Sequence, residues 1–331
     1  MRTSPNSTEI DGTNFKSSAV RNAVAVDQDA SGRVWALGAP PATNGFQIAR
    51  LGPDGQLDTS FGTDGYATWT AGNANHRDLL VDSAGRGIAI GNTNVVAADQ
   101  QLKLARFLPD GQLDPTYGDS GIVTISHPAG IKTEARTLAI DAAGRLLVAA
   151  RSNNGRLQIL RLTDTGQLDP AFGTAGMTDL AATGAIGPIG TSILTDGRIA
   201  VGHQAGSSLN AIMINPDGAR DLSFGTNGTA TIPVPDATQV QEWTLTHDIT
   251  GRIIVAGNAS VDGIAHALLA RFMPDGTPDL TVGGTTATIL TSLGDEFSTA
   301  RAVLIDSQQR IIIVGRTRID SQIVIAVAAF Q

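Results

Sequence analysis

A phrase of about thirteen residues recurs five times along the chain, first as LGPDGQLDTSFG over 51–62. Its relatives begin at Leu108, Thr163, Asn215 and Met273. Between the copies runs a second phrase, an apolar stretch ending in Gly-Arg or its equivalent, with arginines at Arg33, Arg86, Arg145, Arg198, Arg252 and Arg310. The steps between these arginines are 53, 59, 53, 54 and 58 residues. A fixed period of this size marks a repeat architecture, in which one supersecondary unit is copied and stacked. The 331 residues therefore read as one closed unit of six modules.

Each module has the same internal order. In the third, an apolar run (Leu138 to Ile140) meets a tight turn at Gly144-Arg145, and a second run follows (Leu146 to Ala150). After a polar loop come a third run (Leu157 to Arg161), the repeated phrase, and a short fourth stretch beyond Gly176. Their length, aliphatic and β-branched content, and Gly, Asp, Asn and Pro boundaries predict four strands. Asp196-Gly197 gives the sharpest hairpin signal, a two-residue turn of positive φ. No stretch has sustained helical periodicity. Four antiparallel strands in about 55 residues are the measure of a propeller blade. The expected fold is an all-β six-bladed β-propeller, with blades near 18–70, 71–126, 127–181, 182–233, 234–291, and 292–331 completed by 8–17. The last assignment rests on two spacings: Gly65 lies 21 residues before Arg86, and Gly12 lies 21 before Arg33. Residues 13–16 thus stand where an outer strand is missing from the C-terminal module, so an N-terminal strand closes the ring.

The pattern Pro-Asp-Gly-x-Leu-Asp-x-x-Phe-Gly-x-x-Gly resembles the bacterial delta-60 repeat, a β-propeller repeat family of unknown function. The resemblance covers essentially the whole chain and implies a bacterial protein that leans toward the cell exterior. It carries no catalytic residues to transfer. Two modules depart from the pattern. Met213 stands where the others have Arg50, Arg106, Arg161 and Arg271, and the fifth has Thr277-Pro278-Asp279 and Val282 in place of Leu-Asp and Phe.

Repetition also separates scaffold from site. Asp54, Asp110, Asp217 and Asp275, each followed by glycine, are expected to cap turns; two carboxylates at this spacing fall short of a calcium loop. Asp58, Asp114, Asp169, Asp221 and Asp279 are expected to pair with the recurring arginines inside each blade. The arginines after the hairpin turns are expected to bond nearby carbonyls or carboxylates. Residues that occur once are free for a ligand. The entries to the innermost strands carry Arg77, Arg136 and Arg301, each five residues before Asp82, Asp141 or Asp306. Arg21 lies near the same place, one residue out of step, and Trp243 takes the equivalent point in the fifth module. Together with His76 they form the candidate ligand site at one mouth of the channel, with Trp69, His127, Lys132, Glu134, Glu242 and Phe297 as non-repeating neighbours. Arginine forks suit carboxylate or sulfate groups. Against that stand Asp78, Glu134, Glu242, Asp295 and Glu296, which are placed to neutralise them.

Other chemistries are absent from the sequence. With no cysteine there is no disulfide, thiolate metal site or cysteine nucleophile. A net charge of −8 and no basic run give no nucleic-acid footprint. Residues 1–9 contain no apolar core, so no secretory signal is read there, and the longest apolar run (Ile323 to Phe330) is too short to span a bilayer. The five histidines are scattered without a ligand-like pair, and no metal or cofactor site is expected. There is no nucleophile elbow, phosphate loop or dinucleotide motif. The expected role is a monomeric, non-enzymatic interaction propeller that holds a protein or glycan on its variable face. The alternative is a carbohydrate-active enzyme, a glycosidase or lyase, at the arginine-lined mouth.

Overall fold

In a computed structural model, the described residues are 21–39, 45–69, 74–93, 101–126, 132–152, 155–180, 188–293, 297–320 and 322–330. They form a six-bladed β-propeller. Blade 1 comprises Arg21–Gln28, Val34–Ala39, Phe46–Leu51 and Tyr66–Trp69 (β1 to β4). Blade 2 comprises Ala74–Val81, Gly87–Thr93, Leu102–Phe107 and Ile122–Ile125 (β5 to β8). Blade 3 has Thr133–Ile140, Leu146–Ser152, Leu157–Leu162 and Met177–Leu180 (β9 to β12). Blade 4 has Pro188–Ile193, Ile199–Ala205, Ser208–Ile214 and Thr229–Pro233 (β13 to β16). Blade 5 has Gln239–His247, Ile253–Val261, Ile264–Phe272 and Thr288–Thr291 (β17 to β20), and blade 6 has Ser298–Ile305, Ile311–Ile319 and Gln322–Phe330 (β21 to β23). Every sheet is antiparallel and ordered as in sequence. Blade 6 has three strands among the described residues; the strand expected at 13–16 lies outside them. No described helix is long and apolar enough to cross a membrane.

The apolar alternation explains why the sheets stack. Successive strand residues face opposite sides, so each blade has two apolar faces, each needing a neighbour. Trp35, Leu37, Phe46 and Ile48 of blade 1 pack with Leu79, Ala89, Ala105 and Phe107 of blade 2, and the pattern recurs at the next four junctions. The innermost strands β1, β5, β9, β13, β17 and β21 run side by side in that order and line the channel.

The repeated phrase turns out to join blades as well as turn the chain. Within it, Asp110 accepts the backbone N–H of Gln112 at 2.9 Å, and Gly111 takes φ 89°, closing the Asp-capped turn that the sequence predicts. The same turn is a latch. The carbonyl of Asp110 accepts the N–H of Gly62 in the preceding blade at 2.7 Å, and Thr165, Asp217 and Asp275 accept from Gly118, Gly173 and Gly225 at 2.9, 2.7 and 2.7 Å. A Cβ on Gly111 would sit 2.7 Å from the Gly62 nitrogen, so this approach needs glycine. Arginines reinforce three of the latches: Arg50 donates to the Pro109 carbonyl, Arg106 to that of Asp164, and Arg161 to that of Pro216.

Inside each blade the expected pairs form. Arg50 reaches Asp58 at 2.8 Å, Arg106 Asp114 at 2.8 Å, Arg161 Asp169 at 2.8 Å and Arg271 Asp279 at 2.7 Å. Where Met213 replaces the arginine, Arg198 crosses to Asp221 at 3.1 Å. Five of the post-hairpin arginines bind the aspartate four residues earlier, as in Arg86 to Asp82 at 2.6 Å, while Arg198 binds Asp196, two residues earlier, at 2.8 Å. One turn departs from expectation. At Asp196-Gly197 only the glycine takes positive φ, 83°, and Leu194 closes the loop by bonding Arg198 and Gly197. This longer loop matches the Asp-x-x-Gly turns of the other blades and is not a two-residue hairpin.

The junction of blade 6 with blade 1 differs from the other five. Val26 on β1 is 66% exposed, whereas Leu79 at the same position in blade 2 is 4% exposed. On the facing side Leu304, Ile325 and Val327 are also exposed. Blade 6 also carries Ala329 where blades 1, 2, 3 and 5 have Arg50, Arg106, Arg161 and Arg271 and blade 4 has Met213.

Candidate functional site: the channel mouth

The inner strands share one irregularity, and it falls at the candidate positions. Ladder pairing skips Arg77 between His76 and Asp78, Arg136 between Ala135 and Thr137, Trp243 between Glu242 and Thr244, and Arg301 between Ala300 and Ala302. Such β-bulges insert one extra residue and redirect its side chain. On an innermost strand the free direction is the channel. The strand opposite must come close, and at three of these bulges it presents glycine: Gly91, Gly257 and Gly315.

Four of the six candidates thus occupy one repeated position: Arg77, Arg136, Arg301 and Trp243. The other two do not. Arg21 pairs with Ala39, ahead of a wider bulge that spans 22–24. The strand-ending aspartate of blade 1 is Asp29, bonded to Arg33, so Val24 holds the position five residues earlier and Arg21 is three residues out of register. His76 turns toward blade 1, where its ring meets the Gly45 carbonyl; burial and the neighbouring Arg77 charge push its pKa down. Trp69 is misplaced too: it ends the outermost strand of blade 1 and packs on Phe46, ring centres 5.0 Å apart. His127, Asp295 and Glu296 lie outside the described residues.

The charges at the mouth are only partly balanced. Glu134 binds Arg136 at 2.9 Å and stands 3.7 Å from Arg151. Desolvation pushes the Arg136 pKa down; the Glu134 charge opposes this, and those of Arg77 and Arg151 add to it. Arg77 has no carboxylate partner among the described residues, and its buried Nε–H has no acceptor. The Nε–H of Arg136 likewise has none. An unsatisfied buried donor of this kind costs about 1 to 3 kcal/mol, more when charged.

Asp78 does not supply the missing charge, although it adjoins Arg77 in sequence. Its carboxylate turns between blades 2 and 3, accepting the N–H of Leu79 at 2.9 Å and of Leu138 at 2.7 Å. Burial raises its pKa to about 6, against the lowering effect of those bonds and of Thr137. A folded-state pKa raised from 3.8 means that the fold favours the protonated form. This contribution is complete below pH 3.8 and is lost as pH rises through about 6. The loss amounts to at most about 3 kcal/mol. Denaturant unfolding of the wild type and Asp78→Asn should show the wild type losing ground to the variant between pH 4 and pH 7. A pH-independent gap would place the Asp78 carboxyl at its ordinary pKa. His76 and His247, both lowered by burial, work in the opposite sense and cancel in this comparison.

Solved structures of similar fold include a protein from Lactobacillus plantarum, 14% identical at TM-score 0.58, spanning 95% of this chain and 85% of that one. The PQQ-bound aldose sugar dehydrogenase of Streptomyces coelicolor is 13% identical at TM-score 0.53, with 95% and 96% covered. A PL25 ulvan lyase bound to -[GlcA(1-4)Rha3S]- is 11% identical at TM-score 0.55, with 94% and 82% covered. At these identities the likeness is one of fold. No curated protein matches the chain. Segments 42–61, 85–117 and 250–281, which take in three copies of the repeated phrase or its start, match the model of a propeller family described as "Domain of unknown function (DUF5122) beta-propeller".

Proposed function

We propose that the protein is a binding propeller that holds a carboxylate- or sulfate-bearing glycan or protein at the Arg77–Arg136 mouth. The observation that supports this reading most is Arg77, a half-buried guanidinium without a carboxylate among the described residues. Planar two-point donation suits a carboxylate or sulfate oxygen pair. A second reading, a carbohydrate-active enzyme, draws on the sugar dehydrogenase and the ulvan lyase that share the architecture. Its chemistry would need free acid and base groups beside the arginines. Of the carboxylates there, Asp78 is committed to two backbone N–H groups and Glu134 to Arg136. Tyr117 is no nucleophile: it lies buried under Arg106, 4.2 Å from its guanidinium, and burial raises its phenol pKa.

Thermal unfolding in sulfate and in glucuronate tests the reading. A ligand at 100 times its Kd stabilises the native state by about 2.7 kcal/mol, which raises Tm by about 4 °C for a chain of this length. The shift should vanish in Arg77→Met, a substitution of similar length. An equal shift in wild type and variant would remove the site from this mouth. Turnover of a glucuronide or sulfated glycan, lost with Glu134→Gln, would favour the enzyme.

A further inference from the structure

A second feature lies on the outer rim, away from the channel. A cleft of about 600 Å³ runs along β8 and is lined by Trp69, Lys103, Asp119, Thr124 and Gln167. We propose that it binds pyranose units of an uncharged glycan, with Trp69 as the stacking platform.

The argument begins with what packing requires. At the place of Trp69 the next three blades have Ile125, Leu180 and Ile232, all at least 92% buried. An aliphatic residue is therefore enough to seal the outer end of a blade. The indole instead remains half-buried, resting on Phe46 while still bordering the cleft. An amphipathic ring held in this way offers an apolar plane at low entropy cost, and the C–H faces of a pyranose suit such a plane. The sugar hydroxyls need donors and acceptors around it. The Lys103 ammonium has three donors and gives one to Thr124 Oγ1 at 2.5 Å. Asp119 supplies an acceptor, and Thr124 and Gln167 supply both kinds. Charge sets the ligand class. The lining has one cation and one anion, so it has no net preference for a charged sugar, in contrast to the arginine mouth. The volume falls within the range of small-molecule sites.

Of the three tryptophans, Trp35 is fully buried and Trp243 lies on an innermost strand, so a fluorescence change that survives Trp243→Phe reads this site. Wild-type protein should be titrated to millimolar levels with cellohexaose, mannohexaose, chitohexaose and maltohexaose. At least one should give a saturable change. Trp69→Ala should abolish it, and Asp119→Ala, a substitution in an exposed turn, should weaken binding by about tenfold. Arg77→Met should leave it intact, which separates this proposal from the anion reading. No saturable change with any of the four sugars, or one that survives both Trp69→Ala and Asp119→Ala, would overturn it.

Discussion

Asp114→Ala is expected to destabilise the protein by about 3 to 5 kcal/mol, because it strands a buried guanidinium. Arg106 is 3% exposed and is held by Asp114 at 2.8 Å, by the Asp164 carbonyl of the next blade and by the ring of Tyr117. Tm should fall by about 4 to 7 °C. Removing the other partner should be milder, and the chain itself shows why. Blade 4 has Met213 at the arginine position, fully buried, and its orphaned Asp221 is taken over by Arg198. In blade 2 the equivalent Arg86 already stands 3.9 Å from Asp114. Arg106→Met should therefore let Arg86 close on Asp114, at a cost below about 2 kcal/mol. Denaturant unfolding of the two variants decides the matter. If Arg106→Met proves as damaging as Asp114→Ala, the arrangement in blade 4 is not transferable and the substitution of arginine partners fails as an account.

Gly91→Ala should cost about 3 kcal/mol through overpacking and should weaken anion binding at the mouth. Gly91 sits across the Arg77 bulge, and an added Cβ would lie 2.2 Å from the Asn75 carbonyl and 2.6 Å from the Phe46 ring. Blade 3 has Ala150 opposite its own bulge, where the neighbour in the place of Phe46 is the smaller Leu102, in the same cluster. Phe46→Leu should accordingly recover part of the loss when combined with Gly91→Ala, a coupling that a double-mutant cycle measures. No recovery would mean that the backbone contact with Asn75 dominates and that the aromatic is incidental.

These two cases mark how far the sequence could be read. Whatever repeats was legible: the blade count, the Asp-capped turns, and the pairing of Arg106 with Asp114. Repetition also located the channel position, because Arg77, Arg136 and Arg301 keep one distance from the strand-ending aspartate. It did not reveal why that position is special, since a bulge is a property of pairing between strands. Arg21 shows the same limit: one residue out of step by sequence spacing, it is three out of register in the sheet because of the wider bulge of β1. Trp69 looked like a mouth residue because its rarity gives no information on radius; its place at the end of an outer strand does. The balancing carboxylates were only half legible. Glu134 meets Arg136, but Asp78 follows strand alternation away from Arg77 and into the blade junction. The phrase itself conceals a second role, since its latch bonds connect segments some fifty residues apart that no local pattern relates.

The central claim is that Arg77 and Arg136 form an anion site at the channel mouth. The most direct measurement is an anomalous difference map from crystals grown in selenate. The account predicts a selenium peak within hydrogen-bonding reach of the Arg77 and Arg136 guanidinium groups, absent in Arg77→Met. A map with no peak at this mouth, or a peak that persists unchanged in that variant, would contradict it.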